Sequence, residues 1–204
     1  MKDRVRHGLF YPIPTIPIIT NNLPMKPERV ITIVHTGTGN NGKTNIGKDR
    51  VNKFDLQIQY VGALDSCQSY CYKDSVFENE QSEIIDSLQD IFFVLGALAH
   101  NGKNEKYVDK IKEDYELMKF NLDNLLHSSP LEPLQGFIKT NRHNAVLMQL
   151  RCEIRRAERI ATSLTAKGKL DIIHVHTLNL LSDVVFALIW RYCVKNNCLE
   201  IWAG

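Results

Sequence analysis

Leu147-Met-Gln-Leu150-Arg-Cys-Glu-Ile154-Arg-Arg-Ala157-Glu-Arg-Ile-Ala161-Thr-Ser-Leu164 repeats an apolar residue at alternating steps of three and four. A strand would alternate every second residue, whereas this spacing keeps one face of a helix apolar for about five turns. Leu178, Leu181, Val185, Leu188 and Tyr192 draw a second stripe of the same kind. Working outward, helical spacing with few interior Gly or Pro predicts helices near 56–73, 79–101, 105–127, 141–166 and 171–196. Breaks fall at Ser75, Asn101-Gly102, Ser128 to Pro133 and Gly168. Long amphipathic helices with short connections bury their stripes against one another, so the expected fold is an all-α, five-helix bundle.

The start of the chain is different. Pro12, Pro14, Pro17, Pro24 and Pro27 crowd a stretch that neither helix nor central strand accepts. Residues 1–29 therefore read as an extended proline-rich tail, and 30–204 as the folded domain. Lys2, Arg4, Arg6, Lys26 and Arg29 against Asp3 and Glu28 give the tail a faint likeness to a transit peptide, without the Arg and Ser enrichment of one. Val30 to Val34 is a short β-branched run leading into a glycine-rich loop.

Composition narrows the function classes. With 25 Lys and Arg against 23 Asp and Glu, the net charge of +2 gives no sign of a nucleic-acid partner. The longest unbroken apolar run, Ile91 to Ala99, is too short to span a bilayer, so no membrane partner is expected. Five cysteines, an odd number, fit reduced thiols, which places the protein in the cytoplasm or the mitochondrial matrix. Cys67 and Cys71 with His174 and His176 form a conceivable zinc set, but structural zinc favours tighter C-x-x-C knuckles. These residues are read as core, with no metal ligands. No G-x-S-x-G or H-E-x-x-H motif supports a hydrolase.

Gly37-Thr-Gly-Asn-Asn-Gly42-Lys43-Thr44 matches G-x-x-x-x-G-K-[ST]. Glycines free backbone N–H groups to face an anion, Lys43 adds a point charge, and the Thr44 hydroxyl suits magnesium. A Walker loop opens directly into a helix within βα units, yet Asn45-Ile-Gly-Lys-Asp49 starts a helix poorly. The expectation is a phosphate loop on another scaffold. On the fourth helix, Arg151, Arg155 and Glu158 fall within an arc of about 60° beside the apolar stripe. Two guanidiniums there suit a polyphosphate, and a solvated outer face explains them equally well.

Together these segments resemble the PduO-type ATP:cob(I)alamin adenosyltransferases. His35-Thr36-Gly37-Thr38-Gly39-Asn40-Asn-Gly42-Lys43-Thr44 is similar to the family's T-[RK]-T-G-D-x-G-x-T, and Arg50-Val-Asn-Lys53 to its R-V-x-K. Gly62-Ala-Leu-Asp65-Ser-Cys-Gln-Ser69 resembles G-T-V-D-E-L-N-S, the arginine helix resembles R-T-x-x-R-R-A-E-R, and Leu178-Asn179-Leu-Leu-Ser182-Asp183 resembles L-N-R-L-S-D. The resemblance implies a trimer of helical bundles that moves the 5′-deoxyadenosyl group of ATP onto cob(I)alamin, with magnesium. Thr36, Gly37, Thr38, Gly39, Asn40, Gly42, Lys43, Thr44, Lys53, Arg155, Glu158 and Asn179 would bind ATP. Asp65, Phe137, Arg151 and Asp183 would serve the corrinoid. Asp65, Phe137, Arg151 and Arg155 would be catalytic, with Asp65 and Arg151 paired between subunits and Phe137 on the lower corrin face. A cobalamin reductase and an adenosylcobalamin-dependent enzyme are the implied partners. Gly37, Asn40, Ser66 and Leu180 stand where the family carries Lys or Arg, Asp, Glu and Arg. That loss of charge supports an alternative, a non-catalytic relative that carries nucleotide or corrinoid.

Overall fold

The computed structural model describes residues 37–71, 79–101, 104–128 and 136–203. The tail 1–29, the run Val30 to Val34 and Thr36 lie outside them. The chain divides into units 1–39 and 40–204, and every element below belongs to the second. In chain order these are β1 (Lys43–Ile46), β2 (Asp49–Asn52), α1 (Leu56–Tyr70), α2 (Asn79–Asn101), α3 (Glu105–Ser128), β3 (Phe137–Ile138), α4 (Ala145–Ala166), α5 (Ile173–Lys195) and β4 (Ile201–Trp202).

Helix α4 carries the opening stripe, and all six of its apolar positions are between 0 and 3% exposed. An isolated helix of this length is marginal in water, so burial of that stripe, about 1.5–3 kcal/mol for each large side chain, holds it. It packs against both α1 and α5, while α1 also meets α2, α2 meets α3, and α3 closes on α5. Helix α5 is the axis of the core, with Leu178, Leu181, Val184, Val185 and Ile189 wholly buried. By length and composition it is the one helix among the described residues apolar enough to cross a membrane. Polar residues, among them Asn179, Ser182 and Asp183, interrupt its apolar sequence, so it holds no long unbroken apolar run. Most of its apolar residues are buried against neighbouring helices, as in the core helix of a bundle.

Several boundaries shift from expectation. The Asp55 side chain accepts from Gln57 N at 2.9 Å and starts α1 as an N-cap. The fourth helix begins at Ala145 rather than 141, because Asn141 to Asn144 form a hydrogen-bonded turn. Asn144, fully buried, accepts from Asn141 N at 2.9 Å and donates to the Lys139 carbonyl at 3.0 Å. Two antiparallel pairings were not anticipated, β1 with β2 and β3 with β4. The first turns through Gly47 and Lys48. Gly47 has φ 55°, and a Cβ there would sit 2.7 Å from the His100 carbonyl oxygen at the end of α2.

Candidate active site

The short link between α4 and α5 sets them antiparallel, and their contact brings the sequence-selected charges onto one strip. Arg151 is half-buried, its guanidinium 5.0 Å from the Phe186 ring centroid. Its Nε is buried without a hydrogen-bond partner. Stepping seven residues forward along α4 and seven back along α5 keeps the same level, so Glu158 comes opposite Asn179. Arg151, Arg155 and Glu158 on one helix thus face Asn179, Asp183 and Phe186 on the other.

The electrostatics tie the strip together. Burial pulls the Arg151 guanidinium below its usual range, the neighbouring Arg155 pulls the same way, and Asp183 opposes them. Burial pushes the Asp183 carboxyl upward, and Arg151 and Arg155 hold it back. Two guanidiniums flank the one carboxylate of Asp183, and their forked donors suit a polyphosphate. The Glu158 carboxylate forms no ion pair with any described residue. Arg156, next in sequence to Arg155, leaves the strip: it bonds Glu153 at 2.7 Å and the Ser66 hydroxyl at 3.2 Å, joining α4 to α1.

The glycine-rich loop leads into a strand, so no helix N-terminus stands behind it and a Walker geometry is absent. Gly37 (φ 65°), Thr38 and Gly39 belong to the first unit. Asn40 is exposed, and Gly42 (φ 73°) accepts from Lys53 N at 2.8 Å. Lys43 pairs with Asn52 across the hairpin, and its N–H donates to Asn41 Oδ1 at 3.3 Å. Thr44 lies opposite Val51. Arg50 donates to Asn45 Oδ1 at 3.0 Å and Asn41 Oδ1 at 3.5 Å. Lys43, Arg50 and Lys53 make this an exposed basic hairpin. None of Arg155, Glu158, Asn179 and Asp183 makes a hydrogen bond or ion pair with it.

Two other expected residues stand apart. Asp65 is exposed on α1 and lines a hollow against α2 with Phe92, Phe93 and His100. It forms no ion pair with Arg151 of the same chain. Phe137 is 73% exposed on β3 and stacks with Trp202 of β4, centroids 6.2 Å apart and planes at 28°. Gly136 has φ 145°, and a Cβ on it would run into the Trp202 backbone. Phe186 and Trp202 were missed by sequence reading. Only the step of seven from Asn179 could have flagged Phe186, and nothing local flags Trp202.

Of the four zinc candidates, Cys67, Cys71 and His174 are buried and His176 is exposed. Cys67 and Cys71 are buried, with burial pushing the Cys67 thiol up and the Cys71 thiol to about 12. Among the described residues no group of three or more His, Cys, Asp or Glu could hold a metal.

A helical bundle with this strip of charged residues belongs to a class that the comparisons identify. Residues 34–192 match the family described as cobalamin adenosyltransferase, and the chain belongs to that family. Its fold is that of PduO-type ATP:corrinoid adenosyltransferases from Lactobacillus reuteri. A phenylalanine-to-histidine variant complexed with cobalamin and ATP aligns at TM-score 0.72 and 22% identity, over 84% of this chain and 97% of that one. A phenylalanine-to-alanine variant with the same ligands gives 0.71 and 22%, over 84% and 99%. An arginine-to-lysine variant complexed with ATP gives 0.69 and 21%, over 83% and 99%. No curated protein sequence matches the chain.

Proposed function

We propose that this chain transfers the 5′-deoxyadenosyl group of ATP to cob(I)alamin on the α4–α5 strip. The observation that carries the reading is the cluster of Arg151, Arg155 and Asp183 in a chain of the cobalamin adenosyltransferase family. In the reaction Co(I) attacks the ribose 5′ carbon, a cobalt–carbon bond forms, and the carbon–oxygen bond to triphosphate breaks. Negative charge grows on the departing oxygen, and fixed cations aimed there lower the barrier. Arg155 supplies that charge, with Lys43 and Lys53 of the basic hairpin. Glu158 and Asn179 hold the adenosine end, while Arg151 and Asp183 border the corrinoid.

Magnesium fits the oxygen donors on offer. The Thr44 hydroxyl and the Glu158 carboxylate have no hydrogen-bond or ion-pair partner among the described residues, and this ion keeps most of its ligands as water and phosphate. When bound, it would offset triphosphate charge. Thr44 is the residue that would hold it.

Asp65 and Arg151 lie on different faces of the bundle, which suits an ion pair made between copies of the chain in a homotrimer. The Phe137–Trp202 stack presents an apolar edge that suits the lower face of a corrin, where excluding a ligand eases reduction to Co(I). The test is an anaerobic assay with chemically reduced cob(I)alamin and magnesium ATP. Loss of the Co(I) absorbance with appearance of light-sensitive adenosylcobalamin is the expected result. Binding of ATP or corrinoid without turnover would identify a carrier instead.

A further inference from the structure

One end of the bundle holds a cleft of about 800 Å³ that none of the residues given to ATP or corrinoid line. It opens where α1 and α3 begin, α2 ends, and the α4–α5 link crosses. Its volume lies within the range of small-molecule sites. Leu98, Ile111, Leu170 and Ile173 give it apolar walls.

His174 is the polar feature that singles it out. The residue is 2% exposed and lines the cleft, yet its Nδ1 is turned to the Tyr60 hydroxyl at 2.9 Å. Tyr60 is wholly buried with no other hydrogen-bond partner, so the phenol donates to Nδ1 and avoids an orphaned proton. The imidazole proton then resides on Nε2, on the opposite side of the ring, where no described residue accepts it. Burial holds His174 neutral by taking its pKa to about 4, so it offers a hydrogen bond rather than a charge.

Charge at the mouth is one-sided. Lys112 and Lys169 line the cleft against one acid, Asp171. Asp171 accepts from Ile173 N at 2.8 Å and is engaged in starting α5. Lys169 forms no ion pair with any described residue, and Lys112 reaches exposed Asp109 only at 3.7 Å.

We propose that this cleft is a second ligand site, one that takes a small organic anion: an apolar body bearing a carboxylate or phosphate, its acidic group toward Lys112 and Lys169 and an acceptor atom on His174 Nε2. The test uses the full chain, nitrogen-15 labelled at histidine, with octanoate and adenosine 5′-monophosphate titrated separately at millimolar concentrations. Arg155→Ala is the background, which weakens phosphate binding on the α4–α5 strip, and the His174 imidazole signal reports the cleft alone. Saturable movement of the His174 imidazole signal by octanoate assigns the carboxylate source, and by the nucleotide the phosphate source. Lys169→Glu, at an exposed position, should weaken that binding about tenfold while leaving adenosyl transfer in the Arg155 protein unchanged. A His174 signal indifferent to both probes, or binding untouched by Lys169→Glu, overturns the proposal.

Discussion

The Arg151 guanidinium stands over the Phe186 ring at 5.0 Å, and this contact fixes a half-buried cation whose Nε has no hydrogen-bond partner. A desolvated cation–π contact contributes about 0.5–2 kcal/mol. Phe186→Leu keeps the apolar volume and removes the ring. It should lower kcat/KM for cob(I)alamin by roughly 3- to 30-fold, with the helical circular dichroism unchanged.

Arg155 is exposed and makes no contact that the fold requires. Its replacement by alanine should therefore leave the melting temperature within a degree or two while reducing adenosyl transfer by about 10²- to 10³-fold. Full turnover by Arg155→Ala would remove the α4–α5 strip from the mechanism.

His174 links stability to acidity. Its folded pKa of about 4 lies below the usual 6.5 because burial disfavours the cation. Between those values the unfolded chain binds the proton and the folded chain does not. Stability from this residue is present above pH 6.5 and declines as pH falls toward 4, by an amount on the order of 2–3 kcal/mol. Urea unfolding at pH 7 and pH 5 should show that loss, and His174→Asn should shrink it. An undiminished acid slope in the variant would place the effect in other groups.

Glycines 42 and 47 both have positive φ but differ in surroundings. A Cβ at Gly42 meets nothing within 4 Å, whereas at Gly47 it meets the His100 carbonyl oxygen at 2.7 Å. Gly42→Ala should cost only the conformational strain, about 1 kcal/mol. Gly47→Ala should cost more, with the hairpin lifted off the end of α2. Thermal unfolding of the two variants side by side checks the order.

The bundle was legible because its signal is local and repeated. Each position of the α4 stripe was readable from the spacing, and those six residues are the buried ones of the helix. Arg151, Arg155 and Glu158 were legible as one face for the same reason, since helical geometry alone puts them together. The hairpin Lys43–Asn52 was not, because its strands are four residues each and one turns on the positive φ of Gly47. The pairing of Phe137 with Trp202 joins residues far apart in sequence through two-residue strands, which leave no periodic trace. The start of α4 was misplaced because the side chains of Asn141 and Asn144 compete with helix for the backbone. Asp65 matched a family motif, yet its place on α1 away from Arg151 is set by packing that no short motif encodes.

Helix α5 presents Asn179 and Asp183 on its one exposed strip while its remaining faces are locked in the core. A wall of the proposed active site is therefore also the axle of the fold. Backbone amides there should exchange with solvent only when the whole domain opens, so this wall should not breathe on its own. The backbone that carries those two side chains is therefore ordered before any substrate arrives.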